Sequence, residues 1–440
     1  MADSCFSKNA HPGELFCNLF DENGKMRIID GMRYYKKTDG QNNMPRFVVC
    51  MDEDIDADCL ERAAQAALDR HRVFRLSVIQ DEKRFYLKTN HSKVVIHPDD
   101  SCRHEAGGDK NNGLLTYISY RDNIINVDFF HGISDGMGVI AFLRTLLGYY
   151  CRGRYEMAAS AATTEEDPRE YADSLLFVPE IPVSSGLKYE YQQAFQLPER
   201  QMDEEYSCKH YKLCVEAGAF ERFMRENGAS RSAVFTWMMN RTIAQIHPEA
   251  TDPIVAALAV DARKAYGAEL TLQCCVSSVP LWYDKELANL PIAQQLAKTR
   301  QMIVDGTQAD TLIAGAQRTK KFNETLEDRF ATLGAKQAFA RDINKQGGIK
   351  YTYGISYIGE PKFGEGIDEH VMETYPILCA NTIPLIIEIA KCGDWYIVNY
   401  CTHFADDPYV VALVDAFRSA GIPCTCERQE DFVEAFVEFR

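Results

Sequence analysis

No apolar run in the sequence approaches the length of about 20 residues that a bilayer-crossing helix needs. No membrane span is therefore expected. The first residues, Met1 to Asn9, lack the basic-then-apolar order of an export signal, and a cytoplasmic location is the expectation. An excess of positive charge is missing too: 48 Lys and Arg against 64 Asp and Glu give a net charge of −16 at pH 7. Such a field repels a phosphate backbone, which excludes nucleic acid as a partner class. Paired Cys-x-x-Cys spacing is absent. The 15 cysteines stand singly apart from Cys274-Cys275 and Cys424-Thr-Cys426, which speaks against a disulfide framework and against a zinc knuckle, so no metal site is expected. Cysteines scattered in this way are mostly small buried hydrophobes in a reducing compartment. Also absent are a Gly-x-Ser-x-Gly elbow, a Gly-x-x-x-x-Gly-Lys phosphate cradle and a His-Glu-x-x-His pair, so the usual serine, phosphate-loop and metalloprotease devices fall away.

What remains is a chain of 440 residues, 46% apolar and 11% aromatic, enough for one large core or two ordinary ones. Strand and helix patterns alternate along it, which points to a mixed α/β fold. Phe47 to Met51 reads as a strand, followed by a helix from about Ile55 with Leu60, Ala63, Ala64, Ala67 and Leu68 on one side. Val73 to Ile79 and Arg84 to Lys88 flank a hairpin turn, and Ser101 to Gly113 reads as a loop. Leu114 to Tyr120 and Ile124 to Phe130 pair as strands, and Met137 to Tyr150 has helical spacing. The division follows as residues 1–160, a connection over 161–205 rich in Ala, Ser, Thr, Glu and Pro, and a second lobe over 206–440. That lobe shows strands at Tyr211 to Val215, Ile254 to Val260 and Cys275 to Leu281, and helices at Phe220 to Glu226 and Ser230 to Ile246. A helical region from Pro291 to about Asn344 leads to a strand at Tyr351 to Ile358, a hairpin (Pro384 to Ala390 with Trp395 to Cys401) and a helix from Pro408 to Ala420.

The chemistry concentrates at His131-Gly-Ile-Ser-Asp135-Gly136, in the turn between a strand and a helix. A histidine at a strand end has its backbone held by the sheet while its ring projects, and its pKa near 6.5 suits a general base at neutral pH. Asp135 stands where a helix begins and can cap amides or pair with a cation. Gly132 and Gly136 allow a tight bend, and Gly138 allows close approach to the first helical turn. Three other readings stay open. His131 can be a hydrogen-bonded structural histidine with Asp135 an ordinary cap. Gly136-x-Gly138-x-x-Ala141 can be a dinucleotide loop, although Met157 to Asp167 supplies no second strand ending in an acid. A cysteine nucleophile, Cys274, Cys275 or Cys379, can pair with His131. Near the C-terminus, Tyr396 to Thr402 followed by His403-Phe-Ala-Asp-Asp407 and a Pro-started helix repeats the order and spacing of this turn, as an old internal duplication would. Phe404 stands where Gly132 lies in the first copy, and its bulk suggests a structural His403.

His131-Gly-Ile-Ser-Asp135-Gly136 resembles the His-x-x-x-Asp-Gly signature of the superfamily of chloramphenicol acetyltransferase, plant and alcohol acyltransferases and peptide-synthetase condensation domains. Leu68-Asp-Arg-His71-Arg-Val-Phe-Arg75, Val260-Asp261-Ala-Arg263, Ile355-Ser-Tyr-Ile-Gly359 and Phe363-Gly364 resemble further segments of those enzymes, in the same order along the chain. The resemblance implies two chloramphenicol-acetyltransferase-like lobes, each a two-layer α/β sandwich, with an active-site tunnel between them. It implies an acyltransferase without a permanent cofactor, in which His131 deprotonates the hydroxyl or amine of a small acceptor that attacks an acyl-coenzyme A or carrier-protein thioester directly. Asp135 would then pair, in a bidentate fashion, with Arg263 and so steady the turn. Phe130 departs from the second histidine usual in condensation domains, and Gln273-Cys274 replaces a frequent Gly-Asn pair. Ser356 and Ser278 are the candidates for donors to the thioester or its oxyanion. Arg318-Thr-Lys320-Lys321 is either a phosphate contact or a solvated face. Docking an acidic acyl or peptidyl carrier protein onto a chain at −16 would need a local basic patch, which favours free coenzyme A as donor.

Overall fold

A carboxylate at a helix start and apolar residues at helical spacing build the first lobe. Asp56 accepts a hydrogen bond from the Cys59 amide at 2.8 Å and opens the helix Ala57–Arg70. Leu60, Ala63, Ala64, Ala67 and Leu68 of that helix are buried, and each leucine so buried contributes roughly 1.5–3 kcal/mol. The helix packs beside Gly136–Arg154, whose Val139, Phe142, Leu143, Leu146 and Leu147 enter the same core. The computed structural model describes residues 21–36, 42–99, 104–155, 167–182, 193–198, 207–346, 351–380, 383–404 and 407–439. Of the expected connection 161–205 only 167–182 and 193–198 fall among these, and Met1 to Asn9 and all of Met157 to Asp167 except its last residue fall outside them.

Among the described residues the helices of the first lobe cover a five-stranded sheet of order Val371–Ile377, Arg46–Met51, Ile124–Phe129, Thr116–Arg121, Ile96–Pro98. Its register pairs Phe47 with Val127 and Val49 with both Ile125 and Thr374. Segments from late in the chain complete this lobe: the edge strand Val371–Ile377, Phe436–Val437 running parallel to Glu105–Ala106, and Leu326, Leu333, Ala340, Phe363 and Ile367, which join its core.

The second, larger sheet runs Val276–Tyr283, Ile254–Asp261, Tyr353–Tyr357, Leu385–Cys392, Trp395–Thr402, Ser207–Glu216, Cys424–Arg428. Helices Ala217–Glu226, Arg231–Ile246, Ile292–Gly306 and Pro408–Ser419 cover one face over a core that contains Trp237, Tyr353, Tyr396 and Tyr400. Helix on one face and sheet on the other give each lobe two layers. The two sheets meet through Val48, Tyr375 and Ile377 on one side and Cys208, Ile386, Ile397 and Cys401 on the other. The expected single helical region from Pro291 resolves into three helices, Ile292–Gly306, Ala309–Arg329 and Leu333–Gln346. No helix among the described residues is long and apolar enough to cross a membrane.

Candidate active site

The strand Ile124–Phe129 stops one residue short of Phe130, and the chain then bends through 131–135 into the helix Gly136–Arg154. The His131 amide donates to the Asn43 carbonyl at 2.9 Å, and the Phe130 amide to the Leu115 carbonyl at 3.0 Å, so the backbone leading into the ring's attachment is held by the segments that enter the two neighbouring strands. His131 Nδ1 lies 2.9 Å from the Ser134 carbonyl oxygen. A carbonyl only accepts, so the proton sits on Nδ1 and Nε2 carries the free lone pair. Among the described residues Nε2 has no hydrogen-bond partner, and the residue is partly exposed. Burial holds the imidazole well below its usual pKa, and the positive charge of Arg33 pushes the same way against the pull of Asp135. The ring is neutral at pH 7, as a base must be.

Asp135 is fully buried and accepts four hydrogen bonds. Oδ1 takes the amides of Met137 and Gly138, each at 3.1 Å, and Arg263 Nη2 at 2.7 Å; Oδ2 takes the Cys275 amide at 2.7 Å. Burial raises its pKa, but the Arg263 charge and these donors outweigh it and keep the group ionised. The expected bidentate fork is not what forms. Arg263 gives Asp135 one bond and directs its other donors to Asp261 Oδ1 at 2.9 Å, the Thr271 carbonyl at 2.8 Å and the Gln273 carbonyl at 2.9 Å. The fork is lost because the second carboxylate oxygen already belongs to Cys275. The result is a clamp between the lobes: one carboxylate caps the helix behind His131 and grips segment 271–275 of the other lobe.

The glycines divide by the space around them. A Cβ on Gly138 would lie 2.2 Å from the Leu272 carbonyl oxygen and 2.3 Å from Ser134 Oγ, whereas one on Gly136 meets Ile358 at an ordinary 3.5 Å. Gly138 therefore permits the approach of 272, and Gly136 is not required by space. The Gly132 carbonyl accepts the Tyr34 hydroxyl at 2.8 Å.

Of the residues singled out by sequence, His131, Asp135, Gly136 and Arg263 lie together. Ser356 lies on Tyr353–Tyr357, two residues before the Ile358 that neighbours Gly136, and its side chain bonds Glu388. Ser278 is exposed on Val276–Tyr283. Arg318 and Lys321 are exposed on the helix Ala309–Arg329, and Thr319 and Lys320 are partly so. Cys274 Sγ stands 3.7 Å from His131 Nδ1, but burial pushes its thiol up to about 11. Burial pushes Cys275 up as well, and Cys379 is raised by the neighbouring Cys208 and by burial. A protonated thiol is a poor nucleophile, which removes the support for a cysteine acyl-enzyme. His403 is buried and Nε2 meets the Ala380 carbonyl, while Asp407 caps its helix through the Tyr409 amide at 2.9 Å and the Val410 amide at 3.2 Å. Among the described residues both aspartates cap their helix, but Asp135 alone of the two also holds an arginine, and His131 leaves Nε2 without a partner where His403 does not. Sequence reasoning passed over Arg33 and Tyr34, on the short helix Met32–Tyr35. Among the described residues, no group of three or more His, Cys, Asp or Glu is placed to hold a metal ion.

No protein-family model and no curated protein matches the chain. Solved structures do. The epimerization domain from the third module of tyrocidine synthetase B superposes with a TM-score of 0.60 at 10% identity, over 90% of this chain and 96% of that one. Polyketide synthase associated protein 5 from Mycobacterium tuberculosis gives 0.57 at 12%, over 89% and 95%. F. sporotrichioides TRI101, solved with coenzyme A and T-2, gives 0.56 at 12%, over 90% and 98%. The chain is built on the two-lobed fold of condensation domains and chloramphenicol-acetyltransferase-like acyltransferases, along nearly its whole length.

Proposed function

We propose, from the fold this chain shares with condensation domains and TRI101, that it is an acyltransferase moving an acyl group from a thioester to the hydroxyl or amine of a small acceptor. The observation that carries this reading is the state of His131: neutral, its proton on Nδ1 against Ser134, its Nε2 without a partner. Nε2 takes the proton of the acceptor as the acceptor oxygen or nitrogen bonds to the thioester carbonyl carbon. The tetrahedral adduct collapses, the carbon–sulfur bond breaks, and the leaving thiolate takes the proton back from Nε2. Asp135 and Arg263 do not meet substrate in this scheme; they hold the bend that aims the ring. The donor is acyl-coenzyme A in the first reading, and a tunnel between the lobes would bring it to the ring. TRI101, solved with coenzyme A, supports that donor. A carrier-protein thioester is the second reading, favoured by the likeness to condensation domains such as that of Monacolin K polyketide synthase MokA, TM-score 0.55.

The test is release of free thiol from acetyl-, butyryl- and longer acyl-coenzyme A in the presence of alcohols and amines, and from the same acyl groups on a phosphopantetheinylated carrier. His131→Ala is expected to lower the rate by about 2 to 4 orders of magnitude. Equal release by wild type and variant would remove His131 from the chemistry. Turnover with the carrier alone would select the second reading, and none with any thioester would leave a non-catalytic binding protein of this fold.

A further inference from the structure

Arg33 stands beside the histidine without a counter-ion in contact. It is half-buried on the short helix Met32–Tyr35, and its guanidinium makes no hydrogen bond or ion pair with any described residue. A guanidinium carries five N–H donors, and here none is taken up by an acceptor among the described residues. The charges around it do not fill the vacancy. Cys274, its strongest charged neighbour, keeps its proton at neutral pH. Asp135, the third of these neighbours, is committed to Arg263 and three amides. Asp30 acts on Arg33 only through space, and its carboxylate accepts from Asn323 Nδ2 at 3.4 Å. Tyr34 uses its hydroxyl on the Gly132 carbonyl, and Asp173 uses its carboxylate on the amides of Ile29, Asp30 and Leu175. The positive charge acts on both His131 and Cys274, and the adjoining Tyr34 hydroxyl meets the Gly132 carbonyl at 2.8 Å, so the short helix that carries Arg33 packs against the bend next to His131.

We infer that Arg33 is the anion-receiving group of this site, pairing with a negative oxygen that the substrate carries or develops next to His131. The inference rests on the acyl-transfer reading for the identity of that oxygen, which is either the oxyanion formed when the thioester is attacked or a carboxylate fixed on the acyl group or the acceptor. In both cases the donors are held ready at the bend for a negative oxygen.

Two assays on the full chain decide it, with Arg33→Gln and Arg33→Lys. In the first, acetate and inorganic phosphate are titrated into protein carrying labelled histidine, and the His131 ring resonance, assigned by its loss in His131→Ala, is followed. A saturable shift is expected in wild type and Arg33→Lys and not in Arg33→Gln. The second assay measures thiol release with neutral acceptors and with carboxylate-bearing ones such as β-alanine. A fall in kcat of about 10²–10³-fold in Arg33→Gln at nearly unchanged KM assigns the charge to the oxyanion. A rise in KM of about 10-fold or more, confined to carboxylate-bearing substrates, assigns it to a fixed carboxylate. Arg33→Gln should melt no lower than wild type, whereas a merely structural arginine would lower Tm. An anion shift that persists in Arg33→Gln, or kcat and KM unchanged on every substrate, overturns the proposal. If wild type transfers no acyl group, the acyl-transfer reading fails and the anion titration alone judges Arg33.

Discussion

Asp135 divides one carboxylate among a helix start, an arginine and a backbone amide of the opposite lobe, and this sharing sets what each neighbour is worth. Removing Arg263 would leave a fully buried charge held only by amides, so Arg263→Ala is expected to cost about 3–5 kcal/mol in denaturant unfolding and to lower activity through a loosened bend. Another residue carries the opposite sign. Glu388, on Leu385–Cys392 opposite Asn399 and beside Ser356, is pushed by burial up to about 7 although the Ser356 bond opposes it. A raised carboxylate means that the folded state holds the proton more tightly, so stability declines as pH rises from about 4.5 through 7, by up to about 3 kcal/mol. Glu388→Gln should flatten that decline in thermal melts at pH 5 and pH 8, and an unchanged slope would refute the assignment. At this scale the reading of His131 and Asp135 was available from sequence, because strand, bend and helix cap leave separate marks. Arg33 and Glu388 were not, since one arginine in a short turn or one glutamate in an apolar strand looks the same whether its partners are present or missing.

At the scale of elements, the meeting of two backbones explains more than any side chain. The first turn of Gly136–Arg154 and the carbonyl of Leu272 come so close that only hydrogen fits at Gly138. Gly138→Ala should therefore displace segment 271–275, separating Cys275 from Asp135, and reduce thiol release by 10-fold or more while Gly136→Ala has a smaller effect; activity equal to wild type in Gly138→Ala would contradict this. The strands and helices with regular apolar spacing were legible to within a few residues, Ile254 to Val260 against Ile254–Asp261 being one example. Val371–Ile377 was not, because Pro376 and a register shift near Met372 interrupt its alternation, as an edge strand tolerates. The breaks at Thr307-Gln308 and Phe330 to Thr332 were passed over although Gly306 and Gly334 stand beside them, because helical apolar spacing continues on both sides.

At the scale of the molecule, a charged cluster of the first lobe reaches a ring from late in the chain. His104 lies 3.2 Å from Asp99 and 3.4 Å from Asp128, and Arg46, bonded to Asp128, sits over the ring of Phe432. Burial alone would lower the His104 pKa, but the two carboxylates outweigh it and raise it to about 9. Its contribution is therefore complete below about 6.5 and is lost as pH climbs through 9, up to about 3 kcal/mol. Melting temperatures of wild type should fall over that interval more steeply than those of His104→Gln, and parallel curves would exclude the cluster as their source.

The strand exchange at Val371–Ile377 and Phe436–Val437 has a consequence for biosynthesis. A ribosome that has delivered the first 160 residues has released the histidine turn and most of the sheet around it, yet that sheet still lacks its border and Glu105–Ala106 has nothing beside it. The sheet behind the histidine turn must wait, incomplete, until residues 371–377 and 436–437 have emerged, and the bend gains its Arg263 clamp only once residues 263–275 are made.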